Sequence, residues 1–216
     1  SVDPDSINNL WFGAAGGLAR YDGHAFDVFE PDPDDPRSLP DPVVRDLLVA
    51  RDGTLWVGFN TAGAARFLPA TQQFERLPVG EPDATRLPNG QVNVLHQSAD
   101  GALWLGTADG LVRRDLDTSG LTHLRDGGRF DVNALPAADD GGVWVSVLGG
   151  RLYHVAPGAT ALTRHDAGLA PGPTVSIASL YLRDGRLWLG TTEGLRVYAP
   201  STGRARAFAA PPLQEP

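Results

Sequence analysis

Leu103-Trp104-Leu105-Gly106-Thr107-Ala108-Asp109-Gly110-Leu111 is the stretch on which the fold turns, because it recurs along the chain in one register. Its counterparts open Leu10-Trp11-Phe12-Gly13, Leu55-Trp56-Val57-Gly58, Val143-Trp144-Val145-Ser146 and Leu187-Trp188-Leu189-Gly190. The five tryptophans follow one another at intervals of 45, 48, 40 and 44 residues. Asp-Gly precedes four of them, at Asp52-Gly53, Asp100-Gly101, Asp140-Gly141 and Asp184-Gly185. A second Gly-Leu follows most of them, as at Gly17-Leu18, Gly110-Leu111 and Gly194-Leu195, with an insertion in Gly150-Arg151-Leu152 and a weaker Gly63-Ala64.

Each unit converts into four short strands. A β-branched run such as Val92-Asn93-Val94-Leu95 is the first, and Asp-Gly is the hairpin turn in which glycine accepts a positive φ. Leu-Trp-x-Gly is the second strand, with its tryptophan alternating faces with its neighbours. The small residue two places after Trp admits a neighbouring backbone or side chain. A glycine turn leads to the third strand, and runs such as Phe74-Glu75-Arg76-Leu77 supply the fourth. Units of about 40 to 50 residues with four strands each are the signature of a β-propeller. The sequence therefore predicts an all-β propeller of antiparallel blades near 1–40, 41–88, 89–129, 130–173 and 174–210. The first blade is expected to lack its innermost strand, with Ile7-Asn8 standing where the others have Asp-Gly. The reading favours an incomplete piece of a larger propeller over a closed five-bladed ring, and an unpaired edge would then favour a homodimer or edge-to-edge association.

Composition agrees. The chain has 216 residues, 26 Gly and 18 Pro, which suits many turns between short strands. Asp outnumbers Glu 21 to 5, again favouring turns over helices. Net charge is −8, all 18 basic residues are Arg, and no basic run offers itself to nucleic acid. Without Cys there are no disulfides and no thiolate metal sites, and the redox compartment is left open. There is no Met, even at position 1, which adds to the expectation of a fragment or processed chain.

The phrases Leu103 to Leu111 and Leu187 to Leu195, with Gly13 to Asp22, resemble the two-component regulator propeller repeat. That repeat reads approximately Asp-Gly-x-Leu-Trp-(Ile/Val)-Gly-Thr-x-x-Gly-Leu-x-Arg-Tyr-Asp. Phe59 departs from it in the second unit and Ser146-Val147 in the fourth. The resemblance implies a periplasmic sensor region of a bacterial inner-membrane protein. A transmembrane helix would follow, then an output such as a histidine kinase, a diguanylate cyclase or a DNA-binding regulator. Several members of the family are associated with sensing carbohydrate breakdown products.

Residues that suggest chemistry have structural explanations beside them. Trp11, Trp56, Trp104, Trp144 and Trp188 could stack on sugars, but their fixed register among apolar neighbours assigns them to inter-blade packing. The Asp-Gly pairs serve as turns, without the ligand spacing of a calcium loop. Ser98-Ala99-Asp100-Gly101-Ala102-Leu103-Trp104 resembles the Asp box of sialidase-type propellers, itself a structural motif. It is the main support for an alternative carbohydrate-active enzyme, a lyase or glycosidase. Glycoside hydrolysis needs two carboxylates across a cavity, and Asp34-Asp35 and Asp139-Asp140 read as solvated turn residues. His24, His96, His123, His154 and His165 lack metal-ligand spacing, so no metal and no cofactor is expected. His123 and His165 read as an exposed position on outer strands.

The mouth of the channel remains. Connections from the fourth strand to the next blade, and from second to third strand, converge there, and variable loops on a rigid scaffold suit ligand binding. Asp41, Arg45, Asn93, Asp109, Asn133 and Glu193 are the candidate contacts for a small-molecule or carbohydrate ligand. Arg45, Asn93 and Asn133 share one slot after the first-strand Val, and bridging between inner strands is the competing account of them. The long connections Pro31 to Pro40 and Val79 to Gly90 could contact a partner, so a protein-interaction scaffold is a further alternative.

Overall fold

The computed structural model describes residues 2–4, 9–115, 117–170, 172 and 174–208, with side chains described from residue 9 onward. Twenty strands form five antiparallel four-stranded sheets, each ordered as in the sequence. Blade 1 contains β1 (Val2–Pro4), β2 (Leu10–Ala14), β3 (Gly17–Tyr21) and β4 (Phe26–Phe29). Blade 2 contains β5 (Val44–Val49), β6 (Leu55–Phe59), β7 (Ala64–Leu68) and β8 (Gln73–Arg76). Blade 3 contains β9 (Val92–Gln97), β10 (Leu103–Thr107), β11 (Gly110–Arg114) and β12 (Leu121–Leu124). Blade 4 contains β13 (Val132–Ala134), β14 (Val143–Val147), β15 (Arg151–Val155) and β16 (Thr163–His165). Blade 5 contains β17 (Ile177–Arg183), β18 (Arg186–Thr191), β19 (Gly194–Ala199) and β20 (Arg204–Ala207). Among the described residues no helix is long and apolar enough to cross a membrane.

The first blade corrects the expectation from sequence. Its innermost slot is filled by β1, whose Val2, Asp3 and Pro4 lie opposite Phe12, Trp11 and Leu10. Proline lacks the amide proton a central strand donates, so Asp3-Pro4 does not read as strand. A first strand donates along one side only, which makes the proline tolerable there.

The turns follow the sequence chemistry. Gly53, Gly101 and Gly141 have φ of 82°, 89° and 88°. In blade 5 Asp184 also turns left-handed, at 51°, and closes a two-residue hairpin with Gly185. Asp tolerates that region better than most residues.

Packing between blades repeats one lock. A Cβ added at Gly13 would lie 2.4 Å from Val44 Cγ1, at Gly58 3.0 Å from Val92 Cγ1, and at Gly106 2.6 Å from Val132 Cγ1. Each glycine thus receives the valine that opens the next blade. Trp11, Trp56, Trp104 and Trp144 are buried in four successive apolar clusters that join blades 1–2, 2–3, 3–4 and 4–5. The tryptophan of each blade therefore faces forward.

Burial distinguishes the interior blades from the ends. Every residue of β6, β10 and β14 is buried, as a strand covered on both faces must be. In β2 and β18 burial is interrupted. Phe26 and Val28 of blade 1 are 60% and 63% exposed, and Tyr181 of blade 5 is 62% exposed. Trp188 packs instead on Phe208 of its own blade, with ring centroids 5.2 Å apart. Among the described residues, the outer faces of the first and last blades do not cover each other, as expected of an open arc of blades.

Candidate functional site

The slot shared by Arg45, Asn93 and Asn133 is a β-bulge. In blade 2, Val44 and Asp46 lie opposite Phe59 and Gly58, leaving Arg45 without a partner in the register. Asn93 is passed over between Val92 and Val94, and Asn133 between Val132 and Ala134. Ala178 holds the slot in blade 5. A bulge re-aims its extra side chain and bends the strand, so the row is set by backbone pairing rather than strand alternation.

Two members of the row are committed to blade packing. Asn93 Nδ2 donates to Asp131 Oδ1 at 2.8 Å and to the Val132 carbonyl at 2.9 Å. Asn133 Nδ2 donates to Ser176 Oγ at 3.2 Å and to the Ile177 carbonyl at 3.5 Å. Each asparagine thus reaches the opening of the next blade's first strand, and Gln91 Nε2 donates to Asn93 Oδ1 at 2.8 Å. Bridging accounts for both.

Asp41 is buried and equally occupied. It accepts from the Val43 amide at 2.8 Å and from Thr61 N–H and Oγ1 at 2.7 and 2.5 Å. Burial pushes its carboxyl up, but the hydroxyl and amide donors outweigh that and hold it below the usual carboxylate range. It ties the entry of blade 2 to its own second turn.

Arg45, Asp109 and Glu193 keep accessible charge. Arg45 is exposed, with Nε on Asn60 Oδ1 at 2.9 Å. Asp109 pairs with Arg125 at 3.3 Å and Glu193 with Arg196 at 3.1 Å, both at turns between second and third strands. Exposed pairs of this kind contribute little to stability, so these groups are available to a ligand.

His123 and His165, read from sequence as an exposed position, are half-buried. His165 Nδ1 lies 2.7 Å from the Tyr198 hydroxyl of blade 5, and its ring packs edge-on to Trp144 at 4.9 Å. Burial first, then the neighbouring His154, pushes the His165 pKa down. His96 is likewise lowered by burial and then by Arg51, and its Nε2 is buried without a hydrogen-bond partner. Folding therefore excludes protons from both rings that the unfolded chain accepts below about pH 6.5. Their contribution is fully present above that pH and falls as acid is added. The urea midpoint is expected to drop between pH 8 and pH 5, above the range where carboxylates titrate. The change should be smaller in the double variant His96→Gln, His165→Gln; an equal drop in that variant would remove this explanation. No group of three or more metal-ligating side chains converges among the described residues.

Residues 38–61 and 86–109, in blades 2 and 3, match the model of the two-component regulator propeller family. Among solved structures, it is similar to the extracellular domain of a protein described as a hybrid two-component system of B. thetaiotaomicron. Identity is 22% and TM-score 0.76, over 97% of this chain and 28% of that one. A second extracellular domain from that organism, described as belonging to a one-component system, is 17% identical with TM-score 0.53, over 96% of this chain and 36% of that one. Virginiamycin B lyase from Staphylococcus aureus is 14% identical with TM-score 0.73, over 98% and 70% of the two chains. Likeness at these identities establishes the propeller fold. No curated protein matches the chain in sequence.

Proposed function

We propose that these regulator-propeller repeats form the input segment of a bacterial membrane-bound signalling protein, binding a small molecule or glycan at the channel mouth without catalysis. The observation that carries this reading is the pair of regulator-propeller repeats lying in consecutive blades. The extracellular placement of two structural relatives supports a position outside the cytoplasm, in the periplasm. Accessible Arg45, in the β5 bulge, and Asp109 and Glu193, on turns between second and third strands, supply charge of both signs. The bulge row connects that mouth to blade packing. A ligand that favours one inter-blade arrangement over another shifts its population by the difference in affinity.

The test is a thermal-shift screen of small molecules and glycans, followed by calorimetry. Arg45→Ala is expected to weaken a mouth-bound ligand about tenfold, or ~1.4 kcal/mol, with the melting temperature of the free protein unchanged. A ligand indifferent to Arg45, Asp109 and Glu193 substitutions would displace the site from the mouth, and a screen with no ligand would count against sensing.

An enzymatic reading rests on the fold likeness to virginiamycin B lyase, for which an H270A form is described as catalytically inactive. Here His96, His123, His154 and His165 lie on strands, and His24 on the turn between β3 and β4. His24, His96 and His154 are away from the mouth-side connections, whereas His123 Nε2 lies 2.7 Å from the Asp83 carbonyl in the connection entering blade 3 and His165 ends β16 at the connection to blade 5. The binding reading is preferred on the regulator-propeller match. Product formation from any bound glycan would reverse that preference.

A further inference from the structure

Among the described residues seven large apolar side chains are exposed, and six of them gather on two faces. Leu10, Phe26 and Val28 share the rear face of blade 1: Leu10 lies opposite Tyr21, Tyr21 opposite Phe26, and Val28 follows two places on. Tyr181, Leu195 and Phe208 share the forward face of blade 5. There Tyr181 lies opposite Trp188, Leu195 opposite Gly190, and Phe208 packs on the Trp188 ring. Single exposed apolar residues need no explanation, whereas gathered ones mark interaction surfaces. Within the chain, each of the first four blades presents its tryptophan-bearing forward face to the rear face of the next. Trp188 keeps that register and is only half-buried.

Charge divides between the same two blades. Residues 1–40 hold eight acidic and two basic side chains, net −6, whereas 174–210 hold two acidic and five basic, net +3. The arginines that lie opposite the tryptophans of blades 1–3 have carboxylates of their own: Arg20 with Asp27, Arg66 with Glu75 and Arg113 with Asp100. In blade 5 that place is taken by Val197. Arg206 lies opposite Val197, and Arg186 stands two places before Trp188, so both are on the Trp188 face. Both are exposed, and neither forms an ion pair among the described residues. On blade 1, Gly17 lies opposite Ala14 on the rear face, and Glu30 Cγ is 3.9 Å from the position of a Cβ added to it. Glu30 is exposed and likewise has no ion pair among the described residues.

We infer that the forward face of blade 5 docks on the rear face of blade 1 of a second copy of this chain. The contact repeats between chains the forward-to-rear relation that successive blades have within one. Apolar side chains meet at its centre, and Arg186 and Arg206 meet the acidic first blade. Symmetric pairing is disfavoured, since it sets arginine against arginine or carboxylate against carboxylate. A head-to-tail contact leaves a complementary face at each end of the pair, so association continues into a ring or a filament. Both faces are distinct from the channel mouth, and the inference does not rest on ligand binding there.

Sedimentation velocity over a range of protein concentrations tests it. The mean mass of the wild-type chain is expected to rise with concentration. Arg186→Glu with Arg206→Glu spoils the blade 5 face, and Phe26→Ser, Val28→Ser with Glu30→Gln spoils the blade 1 face. Each set should weaken association at least about tenfold. All five side chains are exposed, so melting temperatures should stay near wild type; Arg186→Gln with Arg206→Gln replaces the first set should it fail to fold. An equimolar mixture of the two variants retains one native pair of faces and should form two-chain complexes that grow no further. A wild-type chain that stays monomeric at every concentration would overturn the inference and leave these faces to another occupant, such as a further blade. Undiminished association of either variant alone would also overturn it, by showing a symmetric contact.

Discussion

Replacing Trp104 by alanine is expected to lower the unfolding free energy by about 3–5 kcal/mol, the range for large aromatic truncations in a core. The ring is buried at the junction of blades 3 and 4, in one cluster with Phe130, Val132 and Tyr153. Its indole N–H also leaves a partner behind: Ser98 Oγ, which donates to Asp100 Oδ1 at 2.5 Å. Domains of this size are stable by about 5–15 kcal/mol, so the loss is a large share of the whole. Trp188 provides the comparison. It occupies the same register but packs on Phe208 of its own blade and is only half-buried, and Trp188→Ala should cost about 1 kcal/mol, within the common range for point substitutions. Urea denaturation of both variants measures the contrast. Equal costs would mean that inter-blade burial is not what the tryptophan register provides.

Gly90→Ala should be at least as damaging, for a different reason. A Cβ at Gly90 would lie 2.0 Å from the Thr61 carbonyl oxygen and 2.8 Å from its carbon. The obstruction is backbone, so no rotamer change relieves it. The Gly90 carbonyl accepts the Gly63 amide at 2.7 Å, and Thr61 is itself held by Asp41. Relief requires parting the second turn of blade 2 from the segment that enters blade 3. Overpacking a core side chain costs about 1–3 kcal/mol; against fixed backbone we expect about 3 kcal/mol or more, or failure to fold. Gly16→Ala is the control: nothing lies within 4 Å of its added Cβ and its φ is not left-handed. That change should stay within about 0.5 kcal/mol of wild type. Similar midpoints for the two alanine variants would show that the close approach at Gly90 relaxes freely.

The Leu-Trp-x-Gly register was readable because local geometry and blade packing ask for the same residues there. An alternating apolar strand needs Trp on one face, and the neighbouring valine needs glycine at Gly13, Gly58 and Gly106. The bulges at Arg45, Asn93 and Asn133 were not readable, since a bulge is a relation between two strands and side-chain periodicity describes only one. Asn93 and Asn133 were found as a row, but their acceptors come from the following blade, about 40 residues on. Pro4 concealed β1 by removing the amide that usually identifies a strand. His154 and His165 lie on neighbouring strands, β15 and β16. Strand pairing within blade 4 brings both rings against Trp144, and blade 5 adds Tyr198 to that cluster.

The glycine–valine lock has a genealogical consequence. Because three junctions use the same socket and plug, a blade copied or deleted in frame leaves compatible surfaces on either side of the scar. Arrays built this way can change length by duplication without inventing a new interface. Divergence can then proceed inside a single copy, as it has in the fourth, where histidine stands in the position that holds arginine in the first three.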